Sequence, residues 1–555
     1  MNRFIYLAIF LIIILAAFLR LWDLRDIPPG LYHDEAMNVN QAREAWRDGD
    51  FSIFYPENNG REGLFINIQA FSLAAFGFTP LAARLPSALF GILTVLGVFF
   101  LTKELFRSDR VALFASFFLA TSFWHILFSR IGFRAIMAPF FLVWSMYFLL
   151  KLISFKLSAF SNKNSAESWG LAAVSCAVAG GLLFGLGFHS YIAYRVAPLL
   201  LIVPFLAGRR IYKRKENKEG CMPCLLALFL FFAFIAALPL GLYFLENPAD
   251  FVGRSSQVSI FSSETPLRDL GKNIMTTLGM FFSHGDYNWR HNFAGSPQLW
   301  WSVSILFLIG VFGNWKLLAR RSPRLAEAVD EAQVGEGGEI GNFAIAYAFI
   351  VSWFLIFLLP VVLSNEGLPH ALRALPLVIP AVIFAALGLE WIIDKIKQWF
   401  EHKKEFILLL AVFFAAIAMH GFNQYFLRWA NHPDVYAAFN GSYTDLGRYL
   451  NTLPSTTQKY IIVNTPGHML AGGIPMSAQT VMFFTDTWNK TERAKKQFIY
   501  IPSTDNLSLL PQTLSSPTVI AILENDPALR RELKARYPEL MSTITDGGLI
   551  LTNLK

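Results

Sequence analysis

Long runs almost free of charge alternate along this chain with short polar connections. An α-helix rises about 1.5 Å per residue, so about 20 apolar residues cross a hydrocarbon layer of about 30 Å. Runs of that kind at 4–22, 83–102, 111–129, 135–150, 169–189, 190–208, 224–245, 299–315, 342–363, 374–393 and 406–422 predict about eleven transmembrane helices. The segment 64–80 is apolar enough to be another. Counting it would move every later basic cluster to the opposite side, so it is read as a helix in the membrane interface. Segment 36–48 predicts a second interfacial helix, with Ala36, Val39, Ala42 and Trp46 on one side and Asn40, Arg43, Glu44 and Arg47 around the other.

Past Gly421 the pattern changes. Tyr460–Val463, Val481–Phe484, Gln497–Tyr500 and Thr518–Leu523 are short strand-like runs, and Ala528–Tyr537 has helical character. The expected organisation is a transmembrane core at 1–422, whose first outer loop is 23–82, followed by an extracytoplasmic α/β domain at 423–555. The glycines and glutamates of Val334–Glu339 predict a flexible loop.

Composition supports a polytopic membrane protein: hydrophobic residues are 54%, charged residues only 15%. The net charge of +8 resides mainly in clusters between apolar runs. With Met1 cytoplasmic, Arg107–Arg110, Lys151–Lys163, Arg209–Lys218, Lys316–Arg324 and Lys395–Lys404 all fall inside, as the inner-side excess of Lys and Arg requires. The expectation is a plasma-membrane protein with its amino terminus cytoplasmic and its large loops and carboxy-terminal domain outside, and basic residues that report orientation argue against a nucleic-acid partner. Residues 4–22 lack a small-residue cleavage site and predict a retained anchor. Cys221 and Cys224 read as two incidental thiols at a helix start.

Asp34 and Glu35, preceded by His33, stand in the first outer loop. The structural alternative for Asp34 is a helix N-cap. The chemical reading gives one carboxylate the proton of an acceptor hydroxyl while its neighbour orients that group, or has the two share Mg²⁺ or Mn²⁺ with a phosphate.

Asp34-Glu35, then Gly60–Phe65, then Ala83–Gly91, then Phe128-Ser129-Arg130-Ile131-Gly132-Phe133-Arg134 together resemble the phospholipid-carrier-dependent glycosyltransferases. This membrane family includes the protein O-mannosyltransferases and the lipid A aminoarabinose transferase. The resemblance implies a glycosyltransferase C fold, with Asp34 at the family's catalytic-base position and Glu35 as its neighbour in the mannosyltransferase branch. It also implies a polyprenyl-phosphate sugar donor, an acceptor hydroxyl on a lipid, glycan or protein, and single-displacement inversion. The sequence departs from the family in having no acid after Ser129-Arg130, and in having Arg61-Glu62-Gly63 where relatives often have His-Pro-Pro. A second acid is therefore sought at Glu62, Asp286 or Glu366.

A phosphate leaving group calls for guanidinium groups. Arg130, Arg134, Arg195, Arg254, Arg290 and Arg373 fall in or beside outer loops under the expected topology. Together with His33, Arg61, Glu62, Asp286, Glu366 and His370 they supply the candidate substrate and phosphate contacts. No nucleotide is expected, because no Gly-rich phosphate loop follows a strand. Gly180, Gly181, Gly185 and Gly187 lie within an apolar run and read as helix-packing residues. The competing readings are a transporter or flippase of lipid-linked sugars and a non-catalytic scaffold presenting 423–555.

Overall fold

The structure, a computed structural model, describes residues 3–159, 166–206, 221–257, 259–313, 336–399, 403–470, 472–514, 517–545 and 547–554. The basic clusters at 209–218 and 316–324 lie outside them, as do Val334 and Gly335. Two compact units account for the chain: Met1–Trp22 with Ser87–Tyr425, and Asp23–Pro86 with Phe426–Lys555.

The first unit is helical. Among the described residues, eight helices are long and apolar enough to cross a membrane: Arg3–Leu21, Pro80–Phe106, Arg134–Ser154, Gly170–His189, Met222–Glu246, Phe343–Val362, Leu375–Ile396 and Lys404–Trp429. The other three expected runs are broken or short. Residues 111–129 form two helices, Asp109–Thr121 and Phe123–Phe128, because Ser122 leaves the helical conformation and caps the second by accepting from the His125 amide. Residues 192–201 wind as a 3₁₀-helix containing Pro198, which has no N–H to donate. Trp301–Gly313 is only 13 residues long. Glu336–Glu339 open the helix Glu336–Val362 instead of forming loop. Cys221 and Cys224 form a disulfide, so they are not the free thiols expected.

A buried charge inside this unit needs hydrogen-bond partners. Arg20, fully buried on α1 (Arg3–Leu21), donates to the carbonyls of Leu119 and Ala120 at 3.2 and 3.0 Å. It thereby answers the unpaired carbonyl end of the helix Asp109–Thr121. Two expected packing glycines serve that role. A β-carbon on Gly181 would meet the Phe229 carbonyl at 2.3 Å, and one on Gly185 the Ala233 carbonyl at 2.2 Å. Only glycine lets the helices Ala166–Leu186 and Met222–Glu246 approach so closely.

The second unit joins segments remote in sequence. Its sheet has the order β4-β3-β5-β7-β6, with strands β3 (Gln458–Ile462), β4 (Phe498–Ile501), β5 (Thr518–Ile522), β6 (Met541–Thr545) and β7 (Gly548–Thr552). The three strands β4, β3 and β5 are parallel, and β7 and β6 continue antiparallel. Strands β3, β4 and β5 fall within or beside the short strand-like runs that predicted them. Val481–Phe484 does not: it lies in the helix Gln479–Thr485. A four-residue apolar run has no measurable period, and burial of Val481, Met482 and Phe483 satisfies helix as well as strand.

That helix packs on α2 (His33–Asp48). Ala36, Val39 and Ala42 of α2 share a core with Ile66, Ala70 and Leu73 of α3 (Leu64–Phe76), with Ala82 and Ala83 at the start of α4 (Pro80–Phe106), and with Phe483. The side of α2 expected to be solvated is partly enclosed too. Asn40 is buried and donates to the Gln479 side chain at 2.9 Å, because the carboxy-terminal segment covers it. Trp46, Phe51 and Phe71 remain substantially exposed and cluster, with ring centroids 5.4–6.5 Å apart.

Candidate active site

Adjacent residues on a helix point in different directions, and Asp34-Glu35 illustrates it. Both lie in the first turn of α2, where the helix dipole favours carboxylates. Asp34 keeps 37% of its side-chain exposure and accepts from Asn58 Nδ2 at 2.9 Å. Glu35 is completely buried, its Oε1 3.3 Å from Nε of the equally buried Arg84. Arg84 also donates to the Pro28 carbonyl at 3.0 Å, to that of Leu24 at 3.4 Å, and to that of Gly30. One carboxylate is presented, and the other fastens α2 and the loop before it to α4.

The hairpin after α2 completes the setting. Strands β1 (Phe54–Tyr55) and β2 (Arg61–Glu62) pair antiparallel, and Asn58 and Asn59 turn at their tip with φ of 52° and 63°. These left-handed values suit asparagine, and the turn delivers the Asn58 amide to Asp34. Arg61, expected at a phosphate, is buried and donates to Asn38 Oδ1 and Gln41 Oε1, both at 2.6 Å, clamping the hairpin to α2. Glu62 is buried beside it. The ring of His33 tilts against Tyr32, with centroids 3.9 Å apart. Its Nδ1 lies 3.2 Å from the Asn440 side-chain amide nitrogen, and its Nε2 lies 3.9 Å from Asp34 Oδ1.

The remaining candidates belong to the first unit. Arg130 is buried and donates to the Leu19 and Trp22 carbonyls at 3.3 and 2.7 Å, with its guanidinium over Tyr425. Arg134 is half-buried over Tyr191, and Arg195 lies against Phe251 and donates to its carbonyl. Arg290 is half-buried and bonds Asn288, whereas Arg373 is buried and donates to Ser364 and, at 2.6 Å, to the Glu366 carboxylate. The Arg254 side chain lies outside the described set.

The structure gathers Asp286 and His370 with His291, a residue the sequence did not single out. One donor atom from each lies within 4.8 Å of the others, a constellation able to hold a metal ion. Around Asp286 the loop is built tightly: Asn292 Nδ2 donates to the Asp286 and Ser296 carbonyls at 3.0 and 2.6 Å. A β-carbon on Gly285 would meet the Ser296 carbonyl at 2.1 Å. Gly285→Ala is expected to destabilise the protein by about 1–3 kcal/mol, as overpacking does. A lowered thermal-unfolding midpoint in detergent checks it; an unchanged midpoint refutes the tight-loop account.

Residues 64–239 match the family model described as dolichyl-phosphate-mannose-protein mannosyltransferase. No curated protein sequence matches the chain significantly. Among solved structures, the chain is similar to ArnT from Cupriavidus metallidurans bound to undecaprenyl phosphate, with a TM-score of 0.53, 13% identity, and 99% of this chain and 98% of that one covered. The apo state of the same ArnT gives 0.51 and 14% with the same coverage. The Archaeoglobus fulgidus oligosaccharyltransferase tethered with an acceptor peptide gives 0.49 and 13%, covering 91% of this chain and 64% of that one. The chain thus shares the fold of ArnT, and its residues 64–239 match the mannosyltransferase family model.

Proposed function

We propose that the protein transfers a sugar from a polyprenyl-phosphate donor to an acceptor hydroxyl at the outer face of the plasma membrane, with inversion at the anomeric carbon and Asp34 as general base. The contrast within Asp34-Glu35 carries this reading: of two neighbouring carboxylates, the one that is accessible is held by a single amide donor, and the one that is buried is paired. The family match over residues 64–239, and the undecaprenyl phosphate bound by ArnT, support a lipid phosphate as the carrier.

In the reaction, an oxygen of Asp34 takes the proton of the acceptor hydroxyl as that oxygen bonds the anomeric carbon. The bond from carbon to phosphate oxygen breaks with its electron pair, leaving polyprenyl phosphate. A single displacement inverts the configuration. Asn58 and His33 hold the base in place by its Oδ1 edge and by the neighbouring ring. Of the arginines offered for the phosphate, Arg61, Arg130 and Arg373 bind internal amides, carbonyls and a carboxylate. The exposed aromatic group Trp46, Phe51 and Phe71 suits the membrane interface, where such rings are enriched.

The test is release of polyprenyl phosphate, with transfer to added acceptors, by the purified protein in lipid bilayers offered pentose- and hexose-bearing polyprenyl phosphates. Turnover of one donor class identifies the sugar. Turnover of none, by protein that is folded and inserted, refutes the proposal.

A further inference from the structure

Within the second unit, segments remote in sequence line a cavity of about 470 Å³. Three rings form a row there: Phe78, Phe483 and Phe484, with 4.4 and 4.9 Å between successive centroids. Beside them stand Arg25, Arg43, Arg448 and Lys496, four cations against one carboxylate, Asp486, among the described residues that line the cavity. The Arg43 guanidinium lies 4.4 Å from the Phe78 centroid and that of Arg448 5.3 Å from the Phe484 centroid, so both charges rest on ring faces. Asp486 is already shared. Arg43 grips both its oxygens, and Lys496 Nζ lies 3.6 Å from Oδ2 while donating to the Thr485 carbonyl at 2.7 Å. Arg448 reaches Asp26 and Asp445 at 3.4 and 3.7 Å, part-exposed pairs of the kind that hold a side chain only weakly. Arg25 is exposed and makes no hydrogen bond or ion pair with another described residue. Like charges gathered at one cavity repel, and an anion between them removes that cost.

We infer that this cavity binds the phosphate of an anionic phospholipid headgroup, with Arg25 and Arg448 on its oxygens and the ring row against the glycerol and the first chain carbons. A guanidinium can meet two phosphate oxygens at once, and basic pockets beside membrane helices suit lipid headgroups. Connectivity argues for a lipid over a soluble phosphate. Arg25 comes four residues after Leu21, the end of α1, and Pro80, which also lines the cavity, begins α4; both helices are long and apolar enough to cross a membrane. Phe78 follows directly on the apolar helix α3, whose Phe71 and Phe76 are exposed. The cavity is therefore built from residues that the chain holds at span ends, where headgroups lie. A free phosphate ion would satisfy the arginines and gain nothing from the rings. This site is separate from the carboxylate proposed as base: Arg43 lies nine residues beyond Asp34 on α2, roughly 13 Å of helix rise. It does not depend on the proposed transfer reaction. A lipid held there would tie both halves of the second unit, Asp23–Pro86 and Phe426–Lys555, to the membrane surface.

The experiment uses the full chain, delipidated in a neutral detergent. Short-chain phosphatidylglycerol, phosphatidylcholine of the same chain length and inorganic phosphate are added separately, and the unfolding midpoint and the lipid retained in native mass spectra are recorded. Expected is a higher midpoint with phosphatidylglycerol and its retention on the chain. Phosphatidylcholine, whose own cation the arginines repel, and inorganic phosphate should do little at the same concentrations. Arg25→Gln should weaken phosphatidylglycerol binding roughly five-fold, and Arg25→Gln with Arg448→Gln roughly 25-fold, as loss of one and two cations near a headgroup predicts. Because Arg25 has no partner among the described residues, Arg25→Gln should unfold at the wild-type midpoint when no lipid is present. Lys534→Gln makes the same change of charge on the exposed side of the helix Pro527–Arg536 and should leave binding unaltered. Equal binding by wild type and the double variant overturns the site, and so does no binding by folded wild type. Equal weakening in Lys534→Gln would reduce the effect to general surface charge and overturn it too. An equal response to inorganic phosphate would make the source soluble and overturn the lipid assignment. Every readout is lipid binding or stability, so failure here is distinct from failure of the transferase proposal.

Discussion

Asp34→Asn is expected to leave the protein folded and inserted while lowering sugar transfer by roughly 10²–10⁴-fold, the usual contribution of a positioned general base. Asparagine has nearly the shape of aspartate, and its carbonyl oxygen still accepts from Asn58. The hydrogen bond to the hairpin therefore survives, and proton acceptance does not. Glu35→Gln is the informative companion. Its carboxylate faces Arg84 in a closed interior, so the change should appear mainly in stability and leave transfer by the remaining folded protein within a few-fold of wild type. The measurement is initial rate per folded molecule, alongside an unfolding curve for each variant. Full activity in Asp34→Asn would remove Asp34 from the chemistry. Equal losses of rate in both variants would mean that the two acids act together.

Arg84→Ala should produce the largest loss of stability. Breaking a buried ion pair by removing one partner costs about 3–5 kcal/mol, because the other charge is left in a poorly polarisable surrounding. Here the same guanidinium also serves the carbonyls of Leu24, Pro28 and Gly30, so Ala leaves a whole loop without its donors. A shift of this size lowers the unfolding midpoint by on the order of 10 °C. Arg84→Lys should rescue little, since one ammonium group cannot reproduce a planar fork reaching a carboxylate and several carbonyls. The check is the detergent-solubilised unfolding midpoint and the fraction of protein that is monodisperse. If Arg84→Ala unfolds within about 2 °C of wild type, the buried pair does not hold this region together.

The sequence made the candidate loop visible because Asp34 and Glu35 sit between two apolar runs, and it made the helices visible because their apolar stretches are long. It was less informative wherever partners are distant. Arg84 was seen only as part of a motif, since nothing local couples it to Glu35, 49 positions earlier. Nothing local singles out His291, and only the fold brings it beside His370. Arg61 and Arg130 looked like phosphate ligands because arginine next to an outer loop usually raises that expectation. Their guanidinium groups turn inward to Asn38 and Gln41 and to the Leu19 and Trp22 carbonyls. Charge type is written in the sequence; whether a partner already awaits that charge inside the fold is not. The same reasoning covers Val481–Phe484, a run too short for its period to distinguish strand from helix.

The assembly of the second unit from Asp23–Pro86 and Phe426–Lys555 has a consequence for biogenesis. Leu31 donates its amide to Thr444, and Thr480 donates to the Leu31 carbonyl, so these bonds just before α2 cannot form until the ribosome has made the end of the chain. At roughly 5–20 residues per second, synthesis of Ser87–Tyr425 occupies on the order of 20 s to a minute. Throughout that interval the first loop is already made but lacks the segment that closes over it. A nascent chain in this state is a natural client for chaperones, and a product truncated before residue 440 should be recognised and degraded rather than accumulate half-active in the membrane.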